Sequence, residues 1–568
     1  MITSHETANP YVEHAGGRAD DSNAGSATVA IRHLVPVPVL AICCALVTTV
    51  LSWLMGRSQS LWFDEQYSLI LASRPIRELI TLTAVDAHPP LYYLLLKAWM
   101  LVVGDNVALL RLPNCVCLGL AVFVLIMLMR DLFDERIATA CMPLLVCGGF
   151  MLRYGYELRM YSPAMLLTVA GTAMLMRATG VIEPRDRRHR ATNTGETDGH
   201  DRQGDRCRSS SHRRRIAWWC AYAVTVALGM LTLYLTAFVW LTHAIWLTAR
   251  SWCARRLSAW RWLLAYAASI ILFLPWMPAL LGQLGGSSVL PPVRRRANMS
   301  GVANAFDIML LGMTETELPS IISLLVAATM ILIIGILIAQ HLLVRRRSIR
   351  ASASRPSAEA AGLIVMLFAV PAALLMIWSA VKELSCGGYG MFSVRYLSVV
   401  APFFYATLML ACVATYRSRG RRTVFVYVVV LAILVAGTIT YGVRGNHSFD
   451  RNDTPGSAAL SRQVTCSAAQ PVVAQDEYTY IDAYWYYRDC PYYYFLDVDD
   501  VPTRGGYAPL HGSTAQLRTI DDLDAARFTL LSWATTRNYD KFLGDAAGQW
   551  TQTGVIKHGA NAAITYRR

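Results

Sequence analysis

The sequence predicts a polytopic α-helical membrane protein of about 11 transmembrane helices, followed by a small α/β domain at the C-terminal end. Three observations point there. Of 568 residues, 55% are hydrophobic and only 16% are charged, against about 25% charged in soluble globular chains. The apolar residues gather in stretches of about 20, the length that crosses a bilayer core as a helix. The arginines fall in short blocks between those stretches, over 185–215, 250–261, 345–355 and 417–422. Such blocks mark cytoplasmic loops, so the formal charge of +14 implies no nucleic-acid partner.

Residues 1–33 are polar, mixed in charge and poor in aromatics, and read as a disordered cytoplasmic tail. No short cleavable signal precedes the apolar run that begins near Leu34, so that run is expected to remain as an anchor. Candidate spans follow at 34–54, 107–129, 137–152, 160–177, 216–234, 236–249, 262–281, 319–343, 361–380, 396–416 and 423–443. The stretch 216–249 is the ambiguous one: its halves are short, with Tyr234, Leu235 and Thr236 offering a bend. If each run crosses once, every arginine block lies on the side of the N-terminus, which the positive-inside tendency places in the cytoplasm. Residues 89–103 are apolar but reach only about 22 Å as a helix. Counting them as a pass would send the arginine blocks outside, so they are read as an interfacial helix.

A transmembrane domain over 34–443 results, with a first outward loop at 55–106 and further outward segments at 153–159, 282–318, 381–395 and 444–568. The expected setting is the plasma membrane, N-terminus cytoplasmic, with the C-terminal domain and the chemistry extracytoplasmic. In residues 444–568, Pro471–Gln475 and Phe528–Ser532 read as buried strands and Ile481–Arg488 as a helix between them. Cys466 and Cys490 lie outward, where an oxidising compartment favours a disulfide between them. Tyr484 to Tyr494 offer either a stacking surface for sugar or plain packing.

Four polar motifs sit among aromatics at the expected membrane boundary, where lone charges are costly to desolvate. They are Leu-Trp-Phe-Asp64-Glu65-Gln-Tyr-Ser, Asp86-Ala-His88-Pro89-Pro90, Arg153-Tyr-Gly-Tyr-Glu157-Leu-Arg159-Met-Tyr161, and Ser393-Val-Arg395-Tyr396. Transfer of a sugar from a lipid phosphate needs these residue types at this depth. A carboxylate takes or orients the proton of an acceptor hydroxyl, and cations hold the phosphate and the charge it gains on leaving. Asp64 fits the base, with Glu65 or Glu157 orienting the acceptor. His88, Arg159 and Arg395 fit the phosphate, arginine by paired hydrogen bonds, with Asp86, Tyr161 and Tyr396 completing the pocket.

Structural alternatives stand beside each assignment. Asp64 and Glu65 also suit a helix N-terminus. Asp86 with the prolines suits a helix start, Glu157 and Arg159 one ion pair, and Arg395 a snorkelling interface residue. Asp86 and His88 with a distant carboxylate would suit a divalent metal, but no tight ligand spacing supports one, so no cofactor is required. Arg294-Arg295-Arg296 departs from the positive-inside pattern and reads either as a lipid-phosphate contact or as a solvated turn.

The order Asp64-Glu65, Asp86-x-His88-Pro89-Pro90-Leu-Tyr-Tyr, Glu157-x-Arg159-x-Tyr161, Arg395-Tyr396 resembles the GT-C membrane glycosyltransferases over residues 34–443. It looks closest to the group of protein O-mannosyltransferases and aminoarabinose transferases, family 39-like. The resemblance implies an inverting enzyme that moves sugar from a polyprenyl-phosphate donor to a hydroxyl on a cell-envelope glycan, lipid or protein. It implies that Asp64 is the catalytic aspartate, and that His88 falls where some relatives carry a basic residue. The chain lacks the long outward loop domain of eukaryotic protein mannosyltransferases, a departure that bears against protein acceptors. The competing class is a transporter or lipid-linked glycan flippase. Such proteins place ionisable groups near mid-bilayer and often show internal repeats, whereas these charges cluster at a boundary.

Overall fold

The computed structural model describes residues 35–182, 201–254, 259–285, 305–306, 308–311, 355–385, 393–416, 420–444, 453–496 and 507–568. The tail, the arginine triplet at 294–296 and the expected span at 319–343 lie outside them.

Seven helices in the described residues are long and apolar enough to cross a membrane. They are α1 (Val37–Gly56), α5 (Val107–Leu132), α9 (His212–Thr232), α11 (Trp260–Leu284), α12 (Ala358–Leu384), α13 (Val394–Cys412) and α14 (Val424–Gly442). Between α1 and α5 run three shorter helices, α2 (Phe63–Ser73), α3 (Ile76–Val85) and α4 (Leu91–Val103). The run expected at the interface is thus a helix of 13 residues, too short to span.

The expected pass at 137–152 is bent. Helices α6 (Glu135–Val146) and α7 (Gly149–Tyr156) meet at 62° and make an eighth crossing if taken as one span. Pro143, which has no N–H to give the ladder, lies inside α6, and Gly148 between the two leaves helical geometry with φ −75° and ψ 82°. The expected passes at 160–177 and 236–249 appear as helices α8 (Tyr161–Ala178) and α10 (Thr236–Ala254). Neither is among the seven helices that are long and apolar enough to cross, or the eight with the bent pair, among the described residues. The bend expected at 234–236 is the break between α9 and α10.

Packing distinguishes the helices. α13 has 89% of its apolar window buried and forms the middle of the bundle, whereas α1 and α14 have 22% and show apolar side chains outward. α1 nonetheless lies hard against α5: a Cβ at Gly119 would meet Thr49 Oγ1 at 2.1 Å and the Ala45 carbonyl at 2.6 Å. Only glycine permits that approach, as at close helix crossings in lipid.

The C-terminal domain adds two helices, α15 (Asp453–Ser461) and α16 (Glu477–Tyr487). Its sheet holds β1 (Val472–Ala474), β2 (Tyr492–Phe495), β3 (Gln516–Leu517), β4 (Arg527–Trp533), β5 (Thr551–His558) and β6 (Asn561–Arg567). The strand order is β3-β2-β1-β4-β6-β5. The first four are parallel neighbours, and β6 runs antiparallel to both β4 and β5. A disulfide joins Cys466 to Cys490, whose Cα atoms are 6.0 Å apart. Of Tyr484 to Tyr494, Tyr487, Tyr492 and Tyr494 are buried, and Tyr492 stacks on Tyr480 at 4.5 Å between centroids.

Candidate active site

The sequence puts an extended residue, Trp62, before α2, and the two acids that follow point to different partners. Glu65 turns inward. Its Oε1 accepts from Arg111 Nε at 3.1 Å and from the Leu158 backbone N–H at 3.0 Å. Its Oε2 accepts from Arg111 Nη2 at 2.7 Å and from the Trp62 N–H at 3.4 Å. Glu65 and Arg111 are both fully buried. A carboxylate so occupied is a structural anchor: it caps α2, as the helix-start alternative expects, and ties that helix to the turn before α8.

Asp64 faces a different set. Its Oδ2 accepts from Arg395 Nη1 at 2.7 Å, and Arg159 Nε lies 3.8 Å from the same oxygen. Arg159 reaches further along α2, its Nη1 donating to the Asp64 carbonyl at 3.4 Å, Ser68 Oγ at 3.2 Å and Tyr93 Oη at 3.4 Å. Arg395 stands over the rings of Trp62 and Tyr396, 5.8 and 5.6 Å from their centroids. Its side chain is 25% exposed and that of Asp64 15%, so the pair is reachable from outside while its aromatic walls limit water. Three loops far apart in sequence therefore meet at one carboxylate oxygen, at the end of the bundle where α1 stops and α13 starts.

The remaining residues surround this cluster. His88 is half-buried, and desolvation, then Arg159, push its imidazole down to about 3. Asp64 pulls the other way and Arg395 adds to the lowering, which also shows how near all three stand. The ring is thus neutral at ordinary pH, a donor or acceptor rather than a cation. Asp86 is buried and accepts from Tyr67 Oη at 2.7 Å. Burial first, and the Asp86 charge second, hold that phenol well above its ordinary range. Tyr161, buried at the start of α8, lies within electrostatic reach of Arg395, Arg159, Asp64 and Glu157. Glu157 is fully buried in the turn that presents Arg159.

Two further residues were not singled out from the sequence. Arg111 holds Glu65 and also donates to the carbonyls of Gly56, of Gln59 at 2.8 Å and of Ser60 at 3.3 Å, fixing the strand of chain that leads to Asp64. Asn114, one turn on, donates to the carbonyls of Glu157 and, at 2.9 Å, Arg159. Both lie at the start of an apolar span, where the sequence signal is a polar residue that a lipid-facing helix would not tolerate. Among the described residues no group of three or more His, Cys, Asp or Glu side chains is placed to hold a metal ion.

With that geometry in view, solved structures provide a comparison. ArnT from Cupriavidus metallidurans in the apo state superposes with a TM-score of 0.55 at 13% identity, over 95% of this chain and 98% of that one. The same protein bound to undecaprenyl phosphate gives 0.54 at 13% identity, over 93% and 97%. The chain has the ArnT fold. The likeness covers the C-terminal domain as well as the helical bundle, and with the seven apolar helices it makes the chain a multi-pass membrane protein. No protein-family model matches the sequence, and no curated protein matches it.

Proposed function

We propose that this protein is an inverting glycosyltransferase that moves a sugar from a polyprenyl-phosphate donor to an acceptor hydroxyl, at the outer face of the cytoplasmic membrane. One observation carries the reading: Asp64, Arg395 and Arg159 converge within 3.8 Å at the end of an apolar bundle, the level at which this reading sets the lipid headgroup. The ArnT fold supports it, as does the lipid phosphate that the second ArnT structure holds.

The two guanidiniums against the one Asp64 carboxylate leave one positive charge, which suits a phosphodiester donor bearing one negative charge. The phosphate competes with Asp64 for Arg395. When it wins, Asp64 is released from that ion pair and becomes the better base. Asp64 then takes the acceptor proton as the acceptor oxygen bonds to the anomeric carbon. The bond from that carbon to the phosphate oxygen breaks, and its electrons pass to the phosphate, where Arg395 and Arg159 stabilise them. Neutral His88 offers a hydrogen bond to the same phosphate. Glu65 serves the step by holding Asp64 in place, and Glu157 by shaping the turn of Arg159.

Asp64→Asn keeps the side-chain shape and removes the base. The expected outcome is loss of transfer from polyprenyl-phosphate sugars, with folded protein recovered in normal yield. Full turnover in that variant would remove the catalytic assignment, and cell-envelope glycan analysis in a deletion strain would identify the acceptor.

A further inference from the structure

The motif around Asp64 contains Gln66, which is fully buried and has no part in the chemistry above. Its side-chain amide faces the C-terminal domain. Nε2 donates to the Asp482 carbonyl, and Oε1 accepts from the Trp485 N–H at 2.8 Å, both on α16. On the other side of Asp64, the Leu61 N–H donates to Tyr486 Oη at 2.9 Å. Tyr486 lies near enough to Arg111 and Glu65 to feel their charges. Between these two grips, Phe63 stacks on Tyr478 at 4.5 Å with an interplanar angle of 8°. The helix making these contacts is itself held. Asp482 accepts from Ser457 at 2.9 Å, and Ser457 from Asn561 at 2.8 Å, which ties α16 to α15 and β6.

We propose that the C-terminal domain is a working part of the active site. Its helix α16 sets the position of Asp64 by gripping Leu61 and Gln66 on either side, and Gln66 and Tyr486 are positioning residues. This rests on the role proposed for Asp64. The membrane bundle fixes Asp64 from one side through Glu65 and Arg111, and the C-terminal domain from the other. Neither anchor alone constrains both rotation and translation of the first turn of α2. Donor phosphate binds mainly to Arg395 and Arg159, which come from other segments. Loosening the α16 grip therefore slows turnover without weakening donor binding.

The test compares Tyr486→Phe and Gln66→Leu with Tyr566→Phe. Tyr566 Oη donates to Asp540 Oδ1 at 2.7 Å within the C-terminal domain, and neither residue lies on α16, so its loss perturbs that domain without removing a bond of the grip. The full-length protein in nanodiscs is assayed with polyprenyl-phosphate sugars extracted from its own cells. Turnover is expected to fall about 2- to 10-fold for Tyr486→Phe, one hydrogen bond, and about 10- to 100-fold for Gln66→Leu, which leaves two buried partners unmet. Affinity for undecaprenyl phosphate stays unchanged. Backbone hydrogen exchange across 57–68 rises in both variants, and Tyr566→Phe changes none of these readouts. Wild-type turnover and exchange in the two grip variants would overturn the proposal, as would equal slowing by Tyr566→Phe or a weakened undecaprenyl phosphate affinity. If exchange responds as expected while Asp64→Asn remains active, the grip stands and the catalytic reading fails instead.

Discussion

Arg111→Met is the perturbation that most directly separates holding the site from doing its chemistry. Arg111 and Glu65 are both fully buried and share two hydrogen bonds, at 3.1 and 2.7 Å. Removing one partner of such a pair leaves an uncompensated charge and costs about 3–5 kcal/mol. Arg111 also serves the carbonyls of Gly56, Gln59 and Ser60, each loss adding about 1 kcal/mol. Arg111→Met is therefore expected to cost at least about 6 kcal/mol, seen as a melting transition in detergent lowered by several degrees. The double variant Glu65→Leu/Arg111→Met removes the stranded charge and should recover a large part of that loss, because well-packed apolar replacements of buried pairs are often near neutral. Asp64→Asn, by contrast, should melt close to wild type. The reasoning is refuted if Arg111→Met melts with wild type, or if the double variant is no more stable than the single one.

Three other outcomes follow from the same geometry. Arg395→Gln removes a charge-assisted bond worth about 1.5–3 kcal/mol, so transfer efficiency should drop about 10- to 150-fold; a change under about threefold by kcat/KM would exclude Arg395 from the site. His88 is held near 3 in the fold against about 6.5 unfolded. Its neutral form therefore adds nothing that titrates above the unfolded value, and the stability it contributes is lost as pH falls from about 6.5 towards about 3. His88→Gln should then leave the shape of the pH–rate profile between about pH 7 and 8 unaltered while weakening the acid sensitivity of folding; a rate limb that vanishes with His88 would contradict this. The Cys466–Cys490 disulfide closes a separation of 24 residues. Its removal should cost the C-terminal domain about 2–5 kcal/mol, and mass analysis showing Cys466 and Cys490 both as free thiols in the native protein would refute the pairing.

What the sequence made legible, and what it hid, divides along physical lines. Spans and the short interfacial run announce themselves because lipid demands unbroken apolar length, and α4 and α13 sit where that demand places them. The 62° bend between α6 and α7 was missed because Pro143 and Gly148 in an apolar run are compatible with a straight pass. In the C-terminal domain, β1 and β4 are continuous apolar runs, whereas β5 carries Thr551, Gln552 and Thr553 on an exposed edge and gives no apolar signal. Within the site, Asp64, Arg159 and Arg395 could be named because isolated charges at a membrane boundary are expensive. Arg111 and Asn114 are just as buried, but each lies inside what hydropathy reads as a span. Their partners are backbone carbonyls of distant loops, which no local pattern encodes.

The adjacent acids show why residue type alone could not assign their roles. Successive residues on a helix point about 100° apart, so Asp64 and Glu65 cannot share a partner. One must face Arg395 and the other Arg111. Which takes which role is decided by the rotation of the first turn of α2, and that rotation is set by contacts outside α2: Leu158 N–H on Glu65, Tyr486 on Leu61 and α16 on Gln66. A shift of one residue in one direction would put Glu65, on a longer arm, before the arginines and Gln66 opposite Arg111; a shift in the other would put Asp64, on a shorter arm, opposite Arg111 and Phe63 before the arginines. Both consequences oppose function, one by misplacing the base and the other by stranding a charge. The register of eleven residues, Phe63–Ser73, is therefore under two independent physical constraints. That is the reason a short helix outside the bundle core is gripped from the membrane side and from the C-terminal domain at once.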